Sequence, residues 1–115
     1  MLVYDKAYEL ARALSNSDAY KDLVAKKQKL QENEANYNML TDFRQLDLEI
    51  SMDKLAGKEV SQEQLRRWES LYQLVSANPT IRDFMEAEMR FARLMSDIQK
   101  IISEAVPEWF EKSSG

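Results

Sequence analysis

Between Ile81 and Val106 the chain places Phe84, Glu88, Phe91, Met95, Ile98, Ile102 and Ala105 alternately four and three residues apart, and Glu88 is the single charge in the series. That spacing draws a seam down one side of an α-helix. No Gly or Pro interrupts the stretch. Leu94, Ile101 and Val106 broaden the apolar face toward its C-terminal end, which predicts contact there with more than one helix. At ~1.5 Å per residue the element would be roughly 39 Å long, longer than a compact domain of this size is wide. The pattern therefore predicts an elongated bundle or a dimer.

The remaining chain reads as four shorter helical segments. Val3, Tyr4, Ala7, Tyr8, Ala11 and Leu14 recur at helical spacing, with Asp5, Lys6, Glu9 and Arg12 between them as a wet face. Ser15-Asn16-Ser17-Asp18 should end this helix and cap the next, because these side chains compete for backbone hydrogen bonds. Tyr20, Leu23, Val24 and Leu30 carry a second, more polar helix to about Gln31, and the Asn-rich stretch from Asn33 to Asn38 predicts a break or kink. A third helix, from about Glu34 to Ala56, bears Met39, Phe43, Leu46 and Ile50 on one apolar line and Leu48, Met52 and Leu55 on another. Two lines imply two contacts. The second would be completed either by another helix of this chain or by a second copy.

Gly57 is placed to stop the third helix, since Gly takes the left-handed conformation without penalty. Ser61-Gln62-Glu63-Gln64 matches the S-x-x-Q capping box, with Val60 and Leu65 set for a hydrophobic staple. A fourth helix thus begins at Gln62, with Leu65, Trp68, Leu71, Tyr72 and Val75 as its buried face. Asn78-Pro79 ends it, and Pro79 suits the first turn of the long helix that follows. So short a connection favours antiparallel neighbours. Pro107 closes the long helix, Glu108 to Glu111 suggest one more turn, and the tail should fray from about residue 112. The predicted fold class is all-α: an elongated antiparallel bundle of about five helices, the long ones at about 34–56 and 80–106, in a single domain spanning 1–115.

Composition narrows the chemistry. Without Cys or His there is no thiolate, no disulfide framework, no imidazole base and no common transition-metal ligand. Acidic pairs do not replace them. Glu86 and Glu88 point in different directions on a helix, Asp47 fails the ligand spacing with both Asp42 and Glu49, and Glu59 and Glu63 straddle a helix start. No cofactor, metal or small-molecule substrate is implied. The net charge of −4 works against nucleic-acid phosphates, and the one basic run, Lys26, Lys27 and Lys29, reads first as a solvated face. The N-terminus mixes acids and bases among its apolar residues, unlike a signal peptide, and no run of about 18 apolar residues offers a membrane span, so a cytoplasmic location is expected.

Six Met and two Trp read as core filling or as an adaptable interface. Glu88 has two readings: a residue that reaches solvent or pairs with Arg44, Arg90 or Arg93, or a buried polar group that fixes helix register. The candidate self-association or partner face comprises Leu48, Met52, Leu55, Phe84, Glu88, Phe91 and Met95.

Three stretches, VYDKAYELARALSNSDAYKDL, NYNMLTDFRQLDLEI with the MDKLAGKEVS turn, and ANPTIRDFMEAEMRFARLMSDIQKII, together resemble the YlbF/YmcA family of small helical bacterial proteins, most closely its YheA-like branch. The resemblance implies an all-helical, dimer-forming protein of a Gram-positive bacterium. Relatives act as accessory regulators of competence, sporulation and biofilm formation, associate with one another and influence messenger-RNA processing by a membrane-bound endoribonuclease. Some hold iron-sulfur clusters through cysteines. The tail here, PEWFEKSSG, has none, so cluster binding does not carry over. The expectation is a non-enzymatic, self-associating cytoplasmic regulator that binds other proteins. The alternative is a nucleic-acid-binding accessory factor linked to RNA processing, using Lys26, Lys27, Lys29, Arg66 and Arg67.

Overall fold

The computed structural model describes residues 1–110, so the last residue of the expected turn from Glu108 to Glu111, and the fraying from 112, lie outside the described residues. Helices α1 (Leu2–Ser15), α2 (Asp18–Gln31), α3 (Glu34–Leu55), α4 (Gln62–Ala77), α5 (Pro79–Ala105) and α6 (Pro107–Phe110) follow one another, and no strand occurs among the described residues. The all-α class and the two long helices are as the spacing predicts.

Local chemistry sets the boundaries. Between α1 and α2, Ser17 Oγ donates to the Leu14 carbonyl at 2.7 Å and accepts from the Tyr20 N–H at 3.2 Å, serving the end of one helix and the start of the next. Asn33 caps α3 by accepting from the Asn36 N–H, so the Asn-rich stretch is a helix start after a short break. At the other end of α3, Gly57 has φ +76, the Lys58 N–H reaches the Asp53 carbonyl at 2.8 Å, and the Gly57 N–H reaches Lys54 at 3.1 Å. This pair of bonds is a Schellman motif, which needs a left-handed residue at its centre. The capping box at Ser61 and Gln64 is complete in both directions.

The described residues form two compact units, residues 24–85 and residues 1–23 with 86–110; α2 and α5 each contribute to both. In the first unit α3 and α4 make a hairpin. Pairs Asp53–Gln64, Asp47–Trp68, Phe43–Tyr72 and Asn36–Asn78 descend along α3 as they ascend along α4, so the two helices are antiparallel. Its interior holds Leu30, Leu40, Phe43, Leu46, Ile50, Val75, Ile81 and Phe84. The buried residues of α3 start at Leu40, and Met39 is half-buried. Phe43 meets Trp68 and Tyr72 at 5.7 and 6.1 Å, while those two stack at 5.0 Å with planes 9° apart. Such pairs contribute roughly 0.5–1.5 kcal/mol each beyond the area they bury. The α4 face is less covered than its pattern suggests. Val75 is buried and Trp68 and Leu71 half-buried, but Leu65 and Tyr72 stay exposed, since one neighbouring helix covers only the middle of a wide apolar stripe.

In the second unit the buried residues are Ala19 and Ala87, and Tyr20 of α2 meets Phe91 of α5 with ring centroids 5.5 Å apart. No residue of α1 is buried.

Candidate interaction surface

On α3, Leu48, Met52 and Leu55 follow at four and three residues and so share a face, lying on the side of the helix away from Phe43, Leu46 and Ile50. All three are open, Leu48 at 59%, Met52 at 60% and Leu55 at 89% exposure. Tyr37, also exposed, lies on the same line eleven residues before Leu48. Thr41 and Arg44 interrupt the line between Tyr37 and Leu48, so the continuous apolar part, from Leu48 to Leu55, is some 10 Å long at ~1.5 Å per residue. The second line on the third helix is present, and within the unit of residues 24–85 it is uncovered.

The seam of α5 divides. Phe84 is a core residue of the unit of residues 24–85, with the Arg44 guanidinium 5.7 Å from its ring centroid. Glu88, Phe91 and Met95 belong to the other unit. Glu88 is half-buried and engaged by a polar or charged group, Phe91 is half-buried against Tyr20, and Met95 is open at the margin. Further along, Ile101, Ile102 and Val106 are exposed, as are Trp109 and Phe110 of α6.

The apolar face of α1 that periodicity identifies is largely open. Leu2, Val3, Tyr4, Tyr8 and Leu10 are exposed, Tyr4 and Tyr8 at 64% and 66%. One signal did point to an unusual helix: Leu2 and Leu10 fall outside the main apolar line, so α1 is apolar over more of its circumference than one neighbour can cover.

Asp42, Gln45, Leu46, Glu49 and Arg67 line a small cleft between α3 and α4, where Arg67 stands among carboxylates. A shallow open groove along α5 and α6 is lined by Ser96, Gln99, Lys100, Ile102, Ser103 and Phe110, and offers no carboxylate to pair with its lysine in acid-base work. Among the described residues no cluster of acidic side chains is placed to hold a metal ion, and no helix is long and apolar enough to cross a membrane.

Helices with open apolar side chains define a helical protein with a hydrophobic exposed surface. The chain belongs to the YlbF/YmcA family: the family model described as control of competence regulator ComK, YlbF/YmcA, matches residues 3–107. A UPF0342 protein of Caldicellulosiruptor saccharolyticus is 41% identical over 104 residues, which cover 90% of this chain and 87% of that protein. Another, from Desulfitobacterium hafniense, is 38% identical over 106 residues, covering 92% and 86%. Among solved structures, a Bacillus stearothermophilus protein of unknown function (DUF964) superposes with a TM-score of 0.76 at 17% identity, covering 94% of this chain and 95% of that one. A chain from the crystal structure of Bacillus subtilis RicA in complex with RicF gives 0.68 at 20% identity, covering 92% and 94%. At these identities the two structures speak for the fold alone. The family and the all-α class expected from the sequence are both confirmed.

Proposed function

We propose that this chain is a non-enzymatic, cytoplasmic helical protein, folded as one domain, that self-associates and regulates other proteins by binding them through its open apolar faces. One observation carries the reading: the unit built from residues 1–23 and 86–110 fully buries only Ala19 and Ala87, while Leu2, Val3, Tyr4, Tyr8, Met89, Ile101 and Trp109 stand in solvent. At roughly 25 cal/mol per Å² of apolar area removed from water, two alanines stabilise such a unit little, and the exposed Leu, Ile, Tyr and Trp hold most of the available gain. A second copy or a partner protein would release it. One chain of similar fold comes from a crystal structure of RicA in complex with RicF, which supports protein partners as the kind of ligand this architecture takes.

A role as a nucleic-acid-binding accessory factor has weaker support. Lys27 and Lys29 are exposed, but Lys26 is half-buried and already engaged, and Arg67 lies beside Asp42 and Glu49, whose charges repel phosphate.

Sedimentation velocity at micromolar concentration tests the self-association, with a mass of twice 13.5 kDa expected. A single species at the monomer mass across that range would end this part of the reading.

A further inference from the structure

We propose that α1 is a self-recognition helix: it pairs antiparallel with α1 of a second copy across a two-fold axis near Tyr8 and Glu9, with Asp5 of each copy against Arg12 of the other. The proposal rests on the self-association reading above and names the surface and register that would carry it.

Three features of α1 converge. The first is area. Leu2, Val3, Tyr4 and Tyr8 are each about two-thirds exposed, from 64% to 69%. An aromatic side chain buries roughly 150–250 Å² when covered, so α1 alone leaves several hundred Å² of apolar surface open. That is a substantial part of the ~800 Å² that each partner of a stable dimer buries.

The second is shape. At ~100° per residue, Val3, Tyr4, Ala7, Tyr8, Ala11 and Leu14 occupy one continuous face, with Ala7 and Ala11 in its middle. Two small residues one turn apart let a facing helix approach to the short end of the usual ~8–10 Å interaxial distance, while Tyr4, Tyr8 and Leu14 flank the contact.

The third is charge, and it selects the occupant. Asp5 and Arg12 are seven residues apart, so they lie on one line of the helix, along the edge of the apolar face beside Tyr8. In an antiparallel pair related by a two-fold axis each edge meets its own copy reversed. Asp5 then meets Arg12 of the second copy and Arg12 meets Asp5, giving two reciprocal ion pairs. In a parallel two-fold pair this edge would face the opposite edge of the other helix instead, so Asp5 and Arg12 would not meet. The charge pattern of this edge is complementary to itself only when reversed. On α1 the ion pair within the helix, Lys6 to Glu9 at 3.2 Å, uses other residues and leaves this edge to a partner.

Charge reversal with rescue tests the pairing, read by sedimentation equilibrium at low salt with helicity followed by circular dichroism. Asp5→Arg alone and Arg12→Asp alone should each weaken dimerisation roughly 3- to 30-fold, the range for losing exposed ion pairs and gaining like-charge contacts. The double variant Asp5→Arg/Arg12→Asp, and an equimolar mixture of the two single variants, should both return to within about threefold of the wild type, and the differences should shrink at high salt. A wild type that dimerises while the single variants match it would overturn the pairing and leave self-association standing. So would a double variant no better than the singles, or an Asp5→Arg chain that dimerises more tightly. A monomeric wild type would remove both ideas together.

Discussion

Asn78 serves three structural roles with one side chain and one amide. Its N–H reaches the Val75 carbonyl at the end of α4, its Oδ1 accepts from the Ile81 N–H at 3.1 Å and so caps α5, and its Nδ2 donates to Asn36 Oδ1 at 2.9 Å, tying this corner to the start of α3. Ile81, next to the cap, has no solvent exposure, so the cap also fixes the entry of the long helix into the interior of its unit. Removing the side chain with Asn78→Ala should cost about 1 kcal/mol for the cap and a similar amount for the tie, roughly 2 kcal/mol in total. Asn78→Ser keeps a cap-competent oxygen but cannot reach Asn36, so it should lose about half as much. Chemical denaturation of the two variants measures both numbers, and equal losses would show that the tie to Asn36 contributes nothing.

At the scale of elements, α3 is the helix with two apolar sides, one packed in the α3–α4 hairpin and one carrying Leu48, Met52 and Leu55. Because Met52 is open, Met52→Glu should leave the helical circular-dichroism signal intact and change unfolding free energy by no more than about 0.5 kcal/mol where the protein is monomeric. If the stripe is covered in a complex, placing a carboxylate there forfeits the roughly 1.5–3 kcal/mol of a buried Met, a loss of tenfold or more in association or in capture of a protein partner. Unchanged behaviour in both assays would take the α3 stripe out of the interaction surface. The same helix shows what was legible beforehand. Its start at Asn33, its stop at Gly57 and the box at Ser61 are decided within a few residues, so the sequence alone located them. Periodicity likewise told which side of each helix is apolar. It could not tell which sides are covered, because that depends on how many neighbours arrive: Leu65, Tyr72 and most of the face of α1 obey the helical period and still face water. Phe84 and Phe91 sit on one seam, yet the first is buried beneath Arg44 and the second is half-open beside Tyr20.

For the whole molecule, the proposal that association covers α1 and the C-terminal part of α5 makes stability depend on how many copies are present. A folded dimer that unfolds to two separate chains gains stability with protein concentration by mass action, about 1.4 kcal/mol of dimer for each tenfold increase. With an unfolding entropy of roughly 2.1 cal/mol/K per residue, two chains of 115 residues should show a Tm that rises by about 3 °C per tenfold increase. A scan from about 1 to 100 µM would then move Tm by about 6 °C, provided that unfolding is reversible and two-state. The shift separates two origins of the open apolar surface. If the dimer covers it, the rise appears in the pure protein, and at low salt Asp5→Arg lowers Tm at each concentration. If a different protein covers it, Tm is independent of concentration for the chain alone and rises when the partner is added. A Tm that stays constant over the full range, with sedimentation at the monomer mass, would place the stabilising contacts of residues 1–23 and 86–110 with another protein, and the self-associating part of the functional reading would fall with it.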